Sequence, residues 1–186
     1  MAQRCPTWGV IAKTGNREDL LLGYVLVLSD RIEEGISLMQ ETQTAAQAIG
    51  VADYSAMLVV RSGEACLLAD RLDPALALAE GGFTLAREKA QRSGEAWALH
   101  LLGAIASHPD PPDTEKADTH YRQALTLAEE LGMRPLVAHC HLGLARLYRR
   151  TGRPHEAKDH RIIARRMFRE MDMRFWLEKE EAEMDS

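Results

Sequence analysis

Four glycines recur at one interval. Gly23, Gly63, Gly103 and Gly143 stand 40 residues apart, each inside an apolar, helix-like segment. A second row of small residues follows them: Gly35, Ala75, Ala117 and Ala157, at steps of 40, 42 and 40. A glycine inside a helix costs roughly 1 kcal/mol relative to alanine. Four of them cost on the order of 4 kcal/mol, against a usual total stability of about 5–15 kcal/mol. At a fixed interval such residues make sense where helices approach closely and a side chain would keep them apart. Two small-residue rows at one period therefore predict a stack of helix–turn–helix units, each packed only on its neighbours.

The rest of the chain repeats that pattern. Residues 1–16 carry Pro6, Gly9 and Gly15 without a clear period and read as an N-terminal arm. Helical spacing begins at Arg17 and runs to Leu28. Asp30 suits an N-cap with Glu33 as its capping-box partner, opening a helix to about Ile49. Tyr54 to Leu68 and Leu72 to about Arg92 form the second pair, with Gly94 as the stop. Ala96 to Gly103 lies on the next first helix. The turn after it, His108 to Asp113, is two residues longer than the earlier ones. Thr114 to Leu131, closed by Gly132, is the third return helix. Pro135 to Arg150 and Pro154 to Met171 form the fourth pair around Thr151-Gly152-Arg153. A ninth helix, about 174–184, opens on Phe175-Trp176-Leu177 and turns acidic, as expected of a cap that is apolar inward and polar outward. At the other end no comparable cap precedes Leu20. The expectation is one all-α, right-handed solenoid of four units plus a capping helix over residues 17–186.

Composition supports helices over sheet: 46% of residues are hydrophobic but only 5% aromatic, so Ala, Leu, Val and Met build the core. The net charge of −5 is unevenly spread. Residues 134–174 carry 11 Lys and Arg against 4 Asp and Glu, between acidic flanks. Arg146, Arg149, Arg150 and Arg153 follow i, i+3, i+4, i+7 as one stripe, and Arg161, Arg165 and Arg169 as another. Three readings compete: a surface paired with nearby acids; a site for an acidic protein, including another copy's acidic N-terminal part or the tail from Glu178; and a nucleic-acid surface. The last lacks interleaved aromatics, and the chain as a whole is acidic.

No catalytic signature is present. There is no GxxxxGK[ST], no GxGxxG and no nucleophile elbow. His139 and His141 are two apart on a helix and do not share a face; His155 and His160 are five apart. Neither spacing suits chelation, no HExxH or CxxC occurs, and no metal or cofactor is expected. Cys5, Cys66 and Cys140 lack a disulfide framework and read as reduced, cytoplasmic thiols. No apolar run approaches a membrane span.

Leu102-Gly103, a turn, then Ala117, Tyr121 and Ala124 resembles the tetratricopeptide motif, with a Leu-Gly pair on the first helix and small, large, small residues on the second. The period here is longer than that motif's 34 residues. Arg161 departs from it by standing where a bulky apolar residue is wanted. In the fourth unit Ala145, with Tyr148, fits the spacing to Ala157 better than Gly143 does. The stretches Asp30 to Gly35, Glu95 to Gly103 and Glu129 to Tyr148 are similar to the C-terminal repeats of bacterial adenylate/guanylate cyclase–ATPase signalling proteins. The resemblance implies a non-catalytic scaffold that binds a protein or peptide in a concave groove, as a regulatory module. Its geometry implies a groove lined by Tyr24, Val27, Met57, Val60, Glu64, Trp97, His100, His139, Arg146 and Arg149. Two other functions stay open: a homo-oligomerisation module and a small-molecule sensor. The sensor requires an enclosed apolar groove with few charges, against which the arginine stripe argues.

Overall fold

The computed structural model describes residues 17–29, 31–48 and 56–182. The arm 1–16, Asp30, Ile49, Tyr54 and residues 183–184 of the expected cap lie outside the described residues. Among those described, nine helices and no strand are present: α1 Arg17–Leu28, α2 Ile32–Ala48, α3 Ala56–Leu68, α4 Leu72–Glu88, α5 Arg92–Ser107, α6 Thr114–Glu130, α7 Arg134–Arg150, α8 Pro154–Glu170 and α9 Arg174–Ala182. The chain is an all-α helical-repeat solenoid.

One turn chemistry separates most helices. Asp70, Ala90, Gly132, Gly152 and Asp172 each take a left-handed φ, between 52° and 74°. After each, the next N–H donates five residues back: Arg71 to Cys66, Gln91 to Ala86, Met133 to Ala128, Arg153 to Tyr148 and Met173 to Phe168, at 2.7–2.9 Å. These bonds satisfy carbonyls that a helix end leaves orphaned. Ala90 therefore ends α4, and Gly94 does not. Gly94 is buried in the first turn of α5, where an added Cβ would stand 3.0 Å from the Ala56 Cβ. The third turn, at 108–113, is the exception. There the Asp113 N–H reaches the Ala106 carbonyl at 3.0 Å, and the Asp113 carboxylate caps α6 by accepting from the Lys116 N–H at 3.2 Å. Arg150 of the next unit braces this longer turn, donating to the Pro109 carbonyl at 2.7 Å and to that of Ser107.

Within each unit the first helix packs on its return helix. The first helices also touch one another in series, α1 on α3, α3 on α5 and α5 on α7. Among the described residues no return helix touches another. The first helices thus form the tight inner row, and their free side is the concave face.

The small-residue rows lie at the closest approaches. A Cβ on Gly23 would stand 2.8 Å from the Gly35 carbonyl oxygen, and one on Gly63 would be 3.3 Å from that of Ala75. In the later units the partner changes. Gly103 faces the ring of Tyr121, 2.9–3.1 Å from an added Cβ, and Gly143 faces the same ring from α7. The two extra turn residues explain this. α7 begins 42 residues after α5, so Ala145, not Gly143, is the counterpart of Gly103. Return helices present alanines to the core: Ala75, Ala79 and Ala86, then Ala117, Ala124 and Ala128, then Ala157 and Ala164. Tyr148 and Phe168 fill the last two interfaces and are fully buried, each contributing roughly 1.5–3 kcal/mol of apolar burial.

Candidate functional site

The concave face carries one continuous row of π contacts, with a rung from each first helix. The Arg61 guanidinium of α3 lies 5.0 Å from the ring centroid of Tyr24 on α1 and 4.1 Å from that of Trp97 on α5. Trp97 and His139 of α7 are 5.8 Å apart, and His139 meets Trp176 of α9 edge-on at 4.5 Å. Lys179, one turn along α9, stands 5.6 Å from the Trp176 centroid. His100 joins the row from behind, 5.6 Å from Tyr121 and 6.0 Å from His139.

Around this row is a half-open cavity of about 380 Å³. Of the residues expected to line a groove, Tyr24, Glu64, Trp97, His100, His139 and Arg146 meet in it. Val27 and Val60 do not: both are buried in the packing between helices. Met57 lies outside the cavity, and Arg149 faces a second depression at the C-terminal end. The cavity also takes in Arg61, Tyr121, Trp176 and Lys179, which sequence reasoning missed. Arg61 gave no signal because a lone arginine on a first helix looks like a solvated residue. Its ion pair with Glu64, 2.5 Å away, and its bond to the Tyr24 hydroxyl at 3.2 Å hold it flat in the groove instead.

The electrostatics of the site are set by burial beside cations. Burial lowers the His100 pKa to about 4, helped by Arg61 and Arg146. Burial, then His100, Arg61, Arg146 and Lys179, lower that of His139 to about 3. Both imidazoles are neutral at pH 7. Burial and the Glu64 carboxylate push the Tyr24 hydroxyl far up, and burial pushes that of Tyr121 up to about 12. Among the described residues that line the cavity, the charged ones are Arg61, Arg146, Lys179 and Glu64.

The arginine stripes are divided among several tasks. Arg146 turns into the cavity. Arg150 braces the third turn. Arg153 lies beyond the end of α7, pairs with Glu156 and covers the Tyr148 ring at 4.0 Å, so it does not extend a helical stripe. Arg161 pairs with Glu180, and Arg165 with Glu180 and Glu181, all on the cap helix. Those pairs explain Arg161 at a motif position meant for an apolar side chain: its partner Glu180 is itself buried, 2% exposed. The nearby-acid reading holds for these pairs, and the acids include this chain's own tail.

His141 and His160 bring their Nδ1 atoms to 2.7 Å across α7 and α8, a pairing that their sequence separation hid. Among the described residues no three His, Cys, Asp or Glu side chains converge as a metal site. No helix of the described residues is long and apolar enough to cross a membrane.

Residues 113–161, from the α6 cap into α8, match the tetratricopeptide-repeat family. This stretch is a tetratricopeptide-repeat region, the class of helical repeat that generally mediates protein–protein interaction. The crystal structure of BtubC (BKLC) from P. vanneervenii is similar over 82% of this chain, with a TM-score of 0.63 and 14% identity. At that identity the likeness concerns the fold alone. The chain spans 62% of the length of that structure. No curated protein sequence matches the chain.

Proposed function

We propose that this protein is a non-catalytic scaffold that holds an extended segment of a partner protein along the concave face. The observation that carries the reading is the unbroken row Tyr24–Arg61–Trp97–His139–Trp176, one side chain from each of the alternate helices α1, α3, α5, α7 and α9. The distances between neighbouring rungs put Tyr24 and Trp176 no more than about 19 Å apart. That is the length of about six extended residues. Aromatic and arginine side chains are also the types that carry most binding energy at protein interfaces. Buried thiols at Cys66 and Cys140, the latter pushed up to about 12 by burial, suit a reducing cytoplasmic setting. The likeness of its repeats to those of bacterial cyclase–ATPase proteins supports a regulatory role beside a signalling enzyme.

Selection of random decapeptides displayed on phage tests the reading. Binders should weaken at least about tenfold on Trp97→Ala and be indifferent to Leu76→Ala, at an exposed position of α4 outside the cavity. Absence of any binder, or binders that ignore Trp97, would remove the groove as the site.

A second reading, self-association, rests on α1. Leu21 and Val25, one turn apart, are 45% and 54% exposed at the N-terminal edge of the stack. Light scattering on the Val25→Glu variant tests it: a dimer that becomes monomeric supports this edge as an interface.

A further inference from the structure

The large rings of the concave row are linked by other side chains. The Arg61 guanidinium lies over both Tyr24 and Trp97, 5.0 Å from one centroid and 4.1 Å from the other, which puts the two rings no more than about 9 Å apart. His139 links Trp97 and Trp176 in the same way, at 5.8 and 4.5 Å, so these stand no more than about 10 Å apart. All three rings are half-buried and border the half-open cavity. A polyproline II helix turns the same face to a surface every three residues, a step of about 9.3 Å. Two such steps match the full reach of the row, from Tyr24 to Trp176.

Hydrogen bonding favours the same kind of occupant. The groove is walled by helices, whose backbone groups pair within each helix. It therefore offers no sheet edge on which the N–H groups of a partner strand could pair. The indoles of Trp97 and Trp176 can only donate. The Glu64 carboxylate already receives Arg61 at 2.5 Å. A floor of rings and donors suits a segment that brings carbonyls and few N–H groups. Proline meets that demand: it lacks the N–H, and its ring fixes φ near the polyproline II value. Its flat apolar ring also packs on aromatic faces, and a segment already extended loses little freedom on binding.

We propose that the concave row seats a proline-rich segment of a partner protein in the polyproline II conformation, with prolines at positions i, i+3 and i+6 against Tyr24, Trp97 and Trp176. The carbonyls between them accept from the donors of the groove. The proposal rests on the peptide-groove reading and specifies the residue type and conformation of its occupant.

The test uses the same displayed decapeptides on the full chain, followed by titration of the enriched peptides through tryptophan fluorescence. Enriched sequences should carry prolines three residues apart. Changing one of these prolines to alanine should weaken binding about fivefold or more, through the lost ring contact and the lost preorganisation. A peptide of the same composition with its prolines at i, i+2 and i+4 should weaken by at least as much. Both measurements use the natural protein, so they do not depend on the folding of a variant. Selection on Trp97→Ala should lose the central proline and keep the outer two. Enriched peptides without proline, equal binding of the respaced peptide, or an unchanged central proline with folded Trp97→Ala would each overturn the proposal and leave the groove standing. No enrichment at all would remove both the proposal and the groove.

Discussion

Gly143 of α7 presses on the ring of Tyr121, a residue of the preceding unit's return helix. A Cβ at Gly143 would stand 2.5 Å from Tyr121 Cζ and 2.9 Å from its hydroxyl oxygen. Gly103 meets the same ring from α5, so the ring has no free side into which to retreat. Gly143→Ala is expected to destabilise by about 1–3 kcal/mol through overpacking, even after the roughly 1 kcal/mol that alanine returns in helix propensity. Urea denaturation measures this, and Tyr121→Leu in the same chain should recover part of the loss. An unchanged midpoint for Gly143→Ala would end the close-packing argument.

The alanine row does not respond uniformly. Ala117 is fully buried between α5, α6 and α7, whereas Ala157 is 8% exposed and borders the open depression at the C-terminal end. Ala117→Leu should lose about 1–3 kcal/mol. Ala157→Leu should lose clearly less, because the larger side chain has room to lean outward. Equal shifts in the two urea midpoints would contradict that placement.

Ala90 holds a left-handed φ of 52° where other turns use Gly132 or Gly152. A β-carbon is disfavoured there by roughly 1–2 kcal/mol, partly offset by the larger chain entropy glycine loses on folding. Ala90→Gly is expected to stabilise by about 0.5–1 kcal/mol, and Gly152→Ala to destabilise by a similar amount. Thermal melts of both variants check the pair of opposite signs.

The Arg161–Glu180 pair joins a half-exposed guanidinium to a buried carboxylate. Glu180→Gln should cost about 1–2 kcal/mol, moderated because water still reaches Arg161 and Arg165. The double change Arg161→Leu with Glu180→Leu restores the apolar contact of the repeat motif and should be at least as stable as the natural chain. It should also be less sensitive to added salt. A double variant weaker than Glu180→Gln alone would refute this account.

His100 and His139 link stability to acid. Their folded pKa values, about 4 and about 3, lie below the ordinary 6.5. The unfolded chain therefore binds protons first as pH falls. Stability is complete above about pH 6.5 and declines toward pH 4 and below, by up to about 1.4 kcal/mol per pH unit for each group. His139→Gln should flatten that slope, whatever it does to stability at pH 7. Denaturation midpoints between pH 7 and 4 give the slopes; parallel ones would exclude His139 as a cause.

Much of the scaffold was legible because periodic constraints leave periodic residues. Gly132, Gly152, Pro135 and Pro154 marked helix ends through backbone chemistry that few other residues supply. The α4 boundary was not legible, because alanine at a left-handed position carries no mark, and Gly94 nearby serves packing instead. The site was half legible. Trp97, His100 and His139 followed from where a first helix faces the groove. Val27 and Val60 point into the core because small rotations of α1 and α3 decide which apolar face is inner, and an all-apolar stretch does not record them. Tyr121 comes from a return helix, and Trp176 and Lys179 from the cap. Only the closing of the stack brings these residues to the concave side.

The cap helix α9 is a shared component. Its Glu180 and Glu181 fasten it to α8, while its Trp176 and Lys179 form one wall of the groove. The helix that clasps α8 is thus also a jaw of the proposed groove. Added salt screens the exposed Arg165–Glu181 pair far more than the buried Arg161–Glu180 one, so an affinity measured at the groove is expected to carry only a small salt dependence from the fastening beside that of the contact.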